Sequence, residues 1–157
     1  LFTSTAISTN VAIANTETNV VQLTIPAGSL ALGSTYRIIG HGVRTGTNTQ
    51  APTINVRIGQ TNGTPGTDSI AVSPTIAGTA TASNFFIEAY VTVRSTGSTG
   101  TILGGAQTVY GATTAIAENG TAVALNTTVN NYLKLTLSSG NASNTYSFYV
   151  ASIEQVV

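Results

Sequence analysis

Residues 85–94 read Phe85-Phe86-Ile87-Glu88-Ala89-Tyr90-Val91-Thr92-Val93-Arg94. Side chains along an extended chain point to alternate sides. Phe85, Ile87, Ala89, Val91 and Val93 therefore make one apolar face, and Phe86, Glu88, Tyr90, Thr92 and Arg94 make the other. β-Branched and aromatic residues suit such a pleated, half-buried surface. A strand with one apolar and one mixed face belongs to an antiparallel sheet that covers a core on one side.

The same alternation recurs outward from this run. Ile54, Val56 and Ile58 oppose Asn55 and Arg57 within residues 53–59. Leu133, Leu135 and Leu137 oppose Tyr132, Lys134, Thr136 and Ser138 within residues 131–138, which reads as another half-buried strand. Weaker candidates lie at 5–14, 18–25, 35–44, 68–72, 101–110, 121–125 and 144–155. Between them stand turn clusters rich in Gly, Asn, Ser and Pro, including 28–34, 45–52, 60–69, 95–100 and 138–143. The STGSTG stretch at 95–100 reads as a hairpin tip. Helical spacing is hard to find, and only residues 112–118 (ATTAIAE) suggest a helical turn. The expected fold is all-β: one antiparallel sandwich of about 8–10 strands spanning residues 1–157, with residues 1–15 as an arm or edge strand.

Charge is scarce. Five basic and five acidic residues give a charged fraction of 6% in 157 residues, against about 25% in ordinary soluble domains. Thr, about a fifth of the chain, with Ser, Asn and Gly takes their place. A surface of this kind suits a protein packed against neighbours and suits poorly an enzyme that holds and moves protons. A net charge of zero and the lack of any basic run argue against nucleic acid as a partner. No apolar run approaches the about 20 residues of a membrane-spanning helix, so no membrane partner is expected. Cysteine and methionine are absent, so cysteine usage gives no redox compartment. The chain begins at Leu1 rather than Met, which suggests a processed or trimmed start with room for a segment before it.

Residues carrying familiar chemistry are few and dispersed. His41 is the single histidine, and a nucleophilic triad would need the fold to bring Asp68 and Ser69 to it. A glycosidase pair would draw on Glu17, Asp68, Glu88, Glu118 and Glu154, none of which sits in a distinctive motif. Calcium would find one carboxylate in the loop 60–69 (Asp68, with Asn62) and one at Glu118-Asn119. We expect no catalytic residues, metal or cofactor. The Asn-x-Ser/Thr sequons at Asn62, Asn119, Asn126 and Asn141 are the number chance gives so polar a chain. Arg37, Arg57, Glu88, Arg94, Lys134 and Glu154 all fall on expected strands. There they can form cross-strand or cross-subunit pairs, or guard edges and aid solubility. Phe86, Glu88, Tyr90 and Arg94 mix aromatic and charged groups on one face, which marks them as a candidate subunit or capsid contact.

Residues 16–44, TETNVVQLTIPAGSLALGSTYRIIGHGVR, carry a Thr-rich strand ending at Thr24-Ile25-Pro26-Ala27, a turn from Gly28 to Gly33, and a new strand at Thr35. This phrase resembles one in small jelly-roll virion proteins of tailed bacteriophages, among them capsid decoration or cement proteins and fibre head domains. The aromatic strand leading into TVRSTGSTGT at 92–101, and the long final strand with Glu154, are similar to that group as well. The resemblance implies a non-enzymatic structural role on the capsid exterior, as a homotrimer contacting itself and the major capsid protein. One alternative is a receptor- or glycan-binding head of a tail fibre or adhesin, using Tyr36, Tyr90, Tyr110, Tyr132, Tyr146 or Tyr149 as stacking platforms. Another is a small jelly-roll coat protein that forms the shell itself.

Overall fold

The computed structural model describes residues 3–6, 9–11, 16–63, 65, 67–78 and 81–157. Among them are twelve strands and no helix: β1 (Thr3–Ala6), β2 (Thr9–Val11), β3 (Thr18–Ile25), β4 (Thr35–Gly46), β5 (Thr53–Gly59), β6 (Ser69–Val72), β7 (Ser83–Ser95), β8 (Gly100–Tyr110), β9 (Thr113–Glu118), β10 (Val123–Leu125), β11 (Asn131–Ser138) and β12 (Asn144–Gln155). The pairings are antiparallel throughout.

The strands form two sheets. The large one runs β1-β12-β4-β7-β8-β10, with β2 beside β1 along the edge of β12 and β9 beside β10 along the edge of β8. The small one runs β3-β11-β5-β6. The chain passes repeatedly from one sheet to the other, in jelly-roll-like fashion, so neither sheet is a simple meander.

The sheets pack face to face, and the alternation read from residues 85–94 supplies the core. Phe85, Ile87, Ala89, Val91 and Val93 of β7 are all buried. They share the interior with Leu133, Leu135 and Leu137 of β11 and Ile54, Val56 and Ile58 of β5. On β4 the inner positions include two glycines. A side chain at Gly40 would crowd Leu135 and Phe148, and one at Gly42 would stand 2.9 Å from the Phe85 ring. The missing side chains make room for Phe85 and Phe148, whose rings meet edge to face at 5.0 Å.

The IPAG phrase ends β3 as expected. Gly28 takes a positive φ of 73°, which L-residues rarely adopt. Its N–H donates to the Thr127 carbonyl at 3.1 Å. The 95–100 stretch is the β7–β8 hairpin tip, with Gly97 at φ 106°.

Three expectations need correction or placement. Residues 113–118 are not helical. They form edge strand β9, paired with β8 from Gly105↔Glu118 to Tyr110↔Thr113, because the turn at Gly111 (φ 56°) sends the chain back along β8. β11 is not half-buried. Lys134 and Thr136 on its polar side are buried as fully as its leucines, and Ser138 nearly so, because Glu17, Thr61 and Asp68 cover that side. The expected strand at 5–14 is divided: Thr3–Ala6 pairs with Ala151–Glu154 and Thr9–Val11 with Tyr146–Phe148, while residues 12–14 lie outside the described residues.

Candidate functional site

The four residues expected at a contact lie on the outer face of the large sheet. Phe86 and Glu88 are half-buried there, and Tyr90 and Arg94 are exposed. Register builds rows across this face. Glu154 on β12 faces Arg37 on β4, which faces Tyr90 on β7. Tyr90 faces Gly105 on β8, which faces Glu118 on β9. One row further along come Ile39, Glu88, Gln107 and Ile116, then His41, Phe86 and Val109.

Three charged groups of this face, Arg37, Glu154 and Glu88, are engaged within it. Arg37 Nε donates to Glu154 Oε1 at 2.7 Å, and the Tyr90 hydroxyl donates to Glu88 Oε1 at 2.9 Å. Glu154 raises the Arg37 guanidinium above its ordinary value. The Glu88 hydrogen bond, with smaller help from desolvation, pushes the Tyr90 phenol up against an opposing pull from Arg37. Large apolar and aromatic groups stand outward beside them, Ile116 at 73% exposed, Tyr149 at 52% and Tyr90 at 42%, together with exposed Arg94, Gln107 and Glu118. Because Gly105 has no side chain, a shallow depression opens in the row, lined by Glu88, Tyr90, Gln107, Ile116 and Glu118.

The outer face of the small sheet is built differently. Lys134 of β11 and Arg57 of β5 are direct cross-strand partners, an arrangement that is destabilising for like charges. Each takes an acid from the cover above. Arg57 binds Glu17 through both carboxylate oxygens, Nε to Oε1 at 2.7 Å and Nη2 to Oε2 at 2.8 Å. Asn55 and Thr136 also donate to Oε1. Burial by itself would raise the Glu17 carboxyl; the hydrogen bonds from Arg57, Thr136 and Asn55 prevail and hold it below the ordinary carboxylate value. Lys134 Nζ reaches Asp68 Oδ2 at 2.6 Å and also donates to the Thr61 carbonyl. The Thr61 N–H donates to Asp68 Oδ1 at 3.1 Å, and Arg57 Nη1 donates to the Asp68 backbone carbonyl at 2.6 Å.

The other sequence candidates are dispersed by this architecture. His41 lies exposed on the outside of the large sheet, its ring edge-on to Tyr149 at 5.6 Å. Asp68 is buried on the outside of the small sheet and engaged by Lys134, so the sandwich keeps the two apart and no triad forms. Of the six tyrosines, Tyr36, Tyr110 and Tyr146 are core residues and offer no stacking platform. Tyr132 is half-buried, and only Tyr90 and Tyr149 stand well exposed. Glu88 and Glu118 share the depression over Gly105. In the loop 60–69, Asn62 Oδ1 accepts from Gln22 at 2.8 Å. Among the described residues no three His, Cys, Asp or Glu side chains gather as a metal site.

Sequence reasoning missed Arg44. It is fully buried at the end of β4, donating to Asn144 Oδ1 at 2.8 Å and to the carbonyls of Thr81 and Asn48. Its parity with Tyr36 and Ile38 along β4 was the available signal.

No family model matches the chain, and no curated protein matches it. Among solved structures it is similar to a legume lectin-like domain from Entamoeba histolytica, with 7% identity, 97% of this chain and 81% of that one covered, and a TM-score of 0.38. A polysaccharide lyase of family 18 matches at 9% identity over 98% of this chain and 88% of that one, with a TM-score of 0.28. An alginate lyase from Alteromonas sp. 272 matches at 8% identity, 86% and 79% coverage, and a TM-score of 0.27.

Proposed function

We propose that this chain is a non-enzymatic structural protein of a virion, a decoration or cement protein on the capsid exterior. It acts as a homotrimer that bridges neighbouring copies of the major capsid protein. The observation that carries this reading is the outer face of the large sheet. Tyr90, Ile116 and Tyr149 are exposed there, while Arg37, Glu154 and Glu88 are engaged within the face. Such a surface projects little net field and gains by burying apolar area. Each contact is modest, and repetition over a symmetric shell converts modest contacts into stable occupancy. Binding with so little charge depends weakly on salt.

The test is the mass of the purified chain in solution by light scattering, with rinsing of particles that carry it at low and high ionic strength. A trimer that stays on the shell in high salt supports the proposal. A monomer absent from shells, or ready release by salt, overturns it.

A second reading draws on the depression over Gly105. An aromatic ring at Tyr90 beside Gln107, Glu88 and Glu118 offers a stacking surface with hydrogen-bond acceptors, as a receptor- or glycan-binding head of a tail fibre would require. Glycan binding that is lost in Tyr90→Ala favours this reading over the first.

A further inference from the structure

We infer that Lys134 and Asp68 condense to an isopeptide cross-link, an amide between Nζ and Cγ formed with loss of one water. The inference does not depend on the virion reading. It starts from proximity under cover: Nζ lies 2.6 Å from Oδ2, with the two side chains 0% and 4% exposed. The carboxyl carbon is one bond beyond Oδ2, which brings the amine to the attack distance of about 3–3.5 Å.

The surroundings match what the reaction needs. The reactive pair is the neutral amine and the neutral acid, one proton transfer away from the ion pair, and cover from water makes that transfer less costly than it is in solution. The hydrogen bond from Nζ to Oδ2 is the path for that proton. The neutral amine then adds to Cγ, and negative charge gathers on Oδ1. Oδ1 already accepts the Thr61 N–H at 3.1 Å, a backbone donor aimed where charge develops. A second proton passes from the nitrogen to Oδ2, the Cγ–Oδ2 bond breaks and water leaves. One carboxylate and one ammonium become one amide and one water, with no oxidant or cofactor consumed.

The site is held in this geometry from both sides. The Thr61 carbonyl accepts from Nζ and aims the lysine. Arg57 Nη1 grips the Asp68 carbonyl at 2.6 Å. Gly59 clears the space for the carboxyl group, since a Cβ there would stand 2.4 Å from Oδ1 and 2.6 Å from Cγ. The link would join residues 66 apart in sequence in a chain without cysteine, and closing a loop of that length restricts the unfolded state as a disulfide does.

The experiment is intact-mass measurement of the purified, folded wild-type chain, denatured after prolonged incubation at neutral pH. The expected mass is one water below that of the sequence, with a branched Lys134–Asp68 peptide in the digest. Lys134→Arg is expected at its full sequence mass. The wild type alone decides the matter, whatever the variant's stability. A folded wild type at full sequence mass overturns the inference, and so does a water loss that maps to Asp68 without Lys134, as a cyclic imide would.

Discussion

On the large sheet, Arg37 and Glu154 pair across β4 and β12 in the open, beside Tyr90 and Glu88. On the small sheet, Arg57 and Lys134 also sit on adjacent strands, but they share a sign and are roofed by Glu17 and Asp68. The two outer faces thus use the same residue types for different ends. Water screens the first set, and its ion pairing contributes little to stability. The second set is withdrawn from water, so each cation is tied to its acid and each acid pins a covering segment to the sheet. One face stays open to solvent; the other closes the molecule.

The sharpest break of this contrast is Lys134→Met. It keeps volume but removes Nζ, and with it the buried ion pair or the amide formed from it, at an expected cost of about 3–5 kcal/mol. Arg37→Met on the large sheet should leave the urea midpoint nearly unmoved. Equal midpoint shifts for the two would show that the faces do not differ. Gly59→Ala tests the packing of the same buried layer. Its methyl group collides with the Asp68 carboxyl, and we expect a loss of about 1–3 kcal/mol by denaturant unfolding.

Glu17→Gln sharpens the contrast through pH. The folded carboxyl is held below its ordinary value, so its stabilisation is complete above the ordinary carboxylate range. It is lost as pH falls through the lowered folded value. Glutamine gives up the charge-assisted bonds to Arg57, at about 1–2 kcal/mol near neutral pH. Urea midpoints measured from neutral to acid pH should therefore fall less steeply in Glu17→Gln than in wild type. Parallel curves would mean that Glu17 is not the group titrating.

Much of this was legible in the sequence. Period-two alternation placed the long strands, because a sandwich core selects one parity and loops between strands carry their own turn residues. β9 escaped because Ala115 and Ala117, its inward residues, are too small to mark a face, leaving Ile116 isolated among polar residues. β4 was expected as a strand, but its faces carry no clear alternation. Its inner face holds Gly40, Gly42 and Arg44 beyond Tyr36 and Ile38, while Ile39 and Val43 point outward, so hydrophobicity alone does not pick the inner side. Only the bulk of Phe85, Phe148 and Leu135 explains the glycines. The buried polar layer was out of reach for a different reason. Alternation says which side of β11 carries Lys134 and Thr136, but whether that side meets water depends on segments 66 and 119 residues away in sequence.

The smallest effect on stability falls on the large sheet, and there it is most informative. Tyr90→Ala and Ile116→Ser remove exposed groups, so each should change unfolding free energy by no more than about 0.5 kcal/mol. If the face meets a partner through these groups, the same variants should weaken association at least about tenfold, roughly 1.4 kcal/mol. A sedimentation or particle-binding titration across ionic strength separates the sources of that energy. Loss that is equal at low and high salt assigns it to the aromatic and apolar groups, as burial without net charge requires. Loss confined to low salt assigns it to Arg37, Glu154 and Glu88. The open ion pair would then be a contact in waiting, and the two outer faces would differ only in where their acids come from.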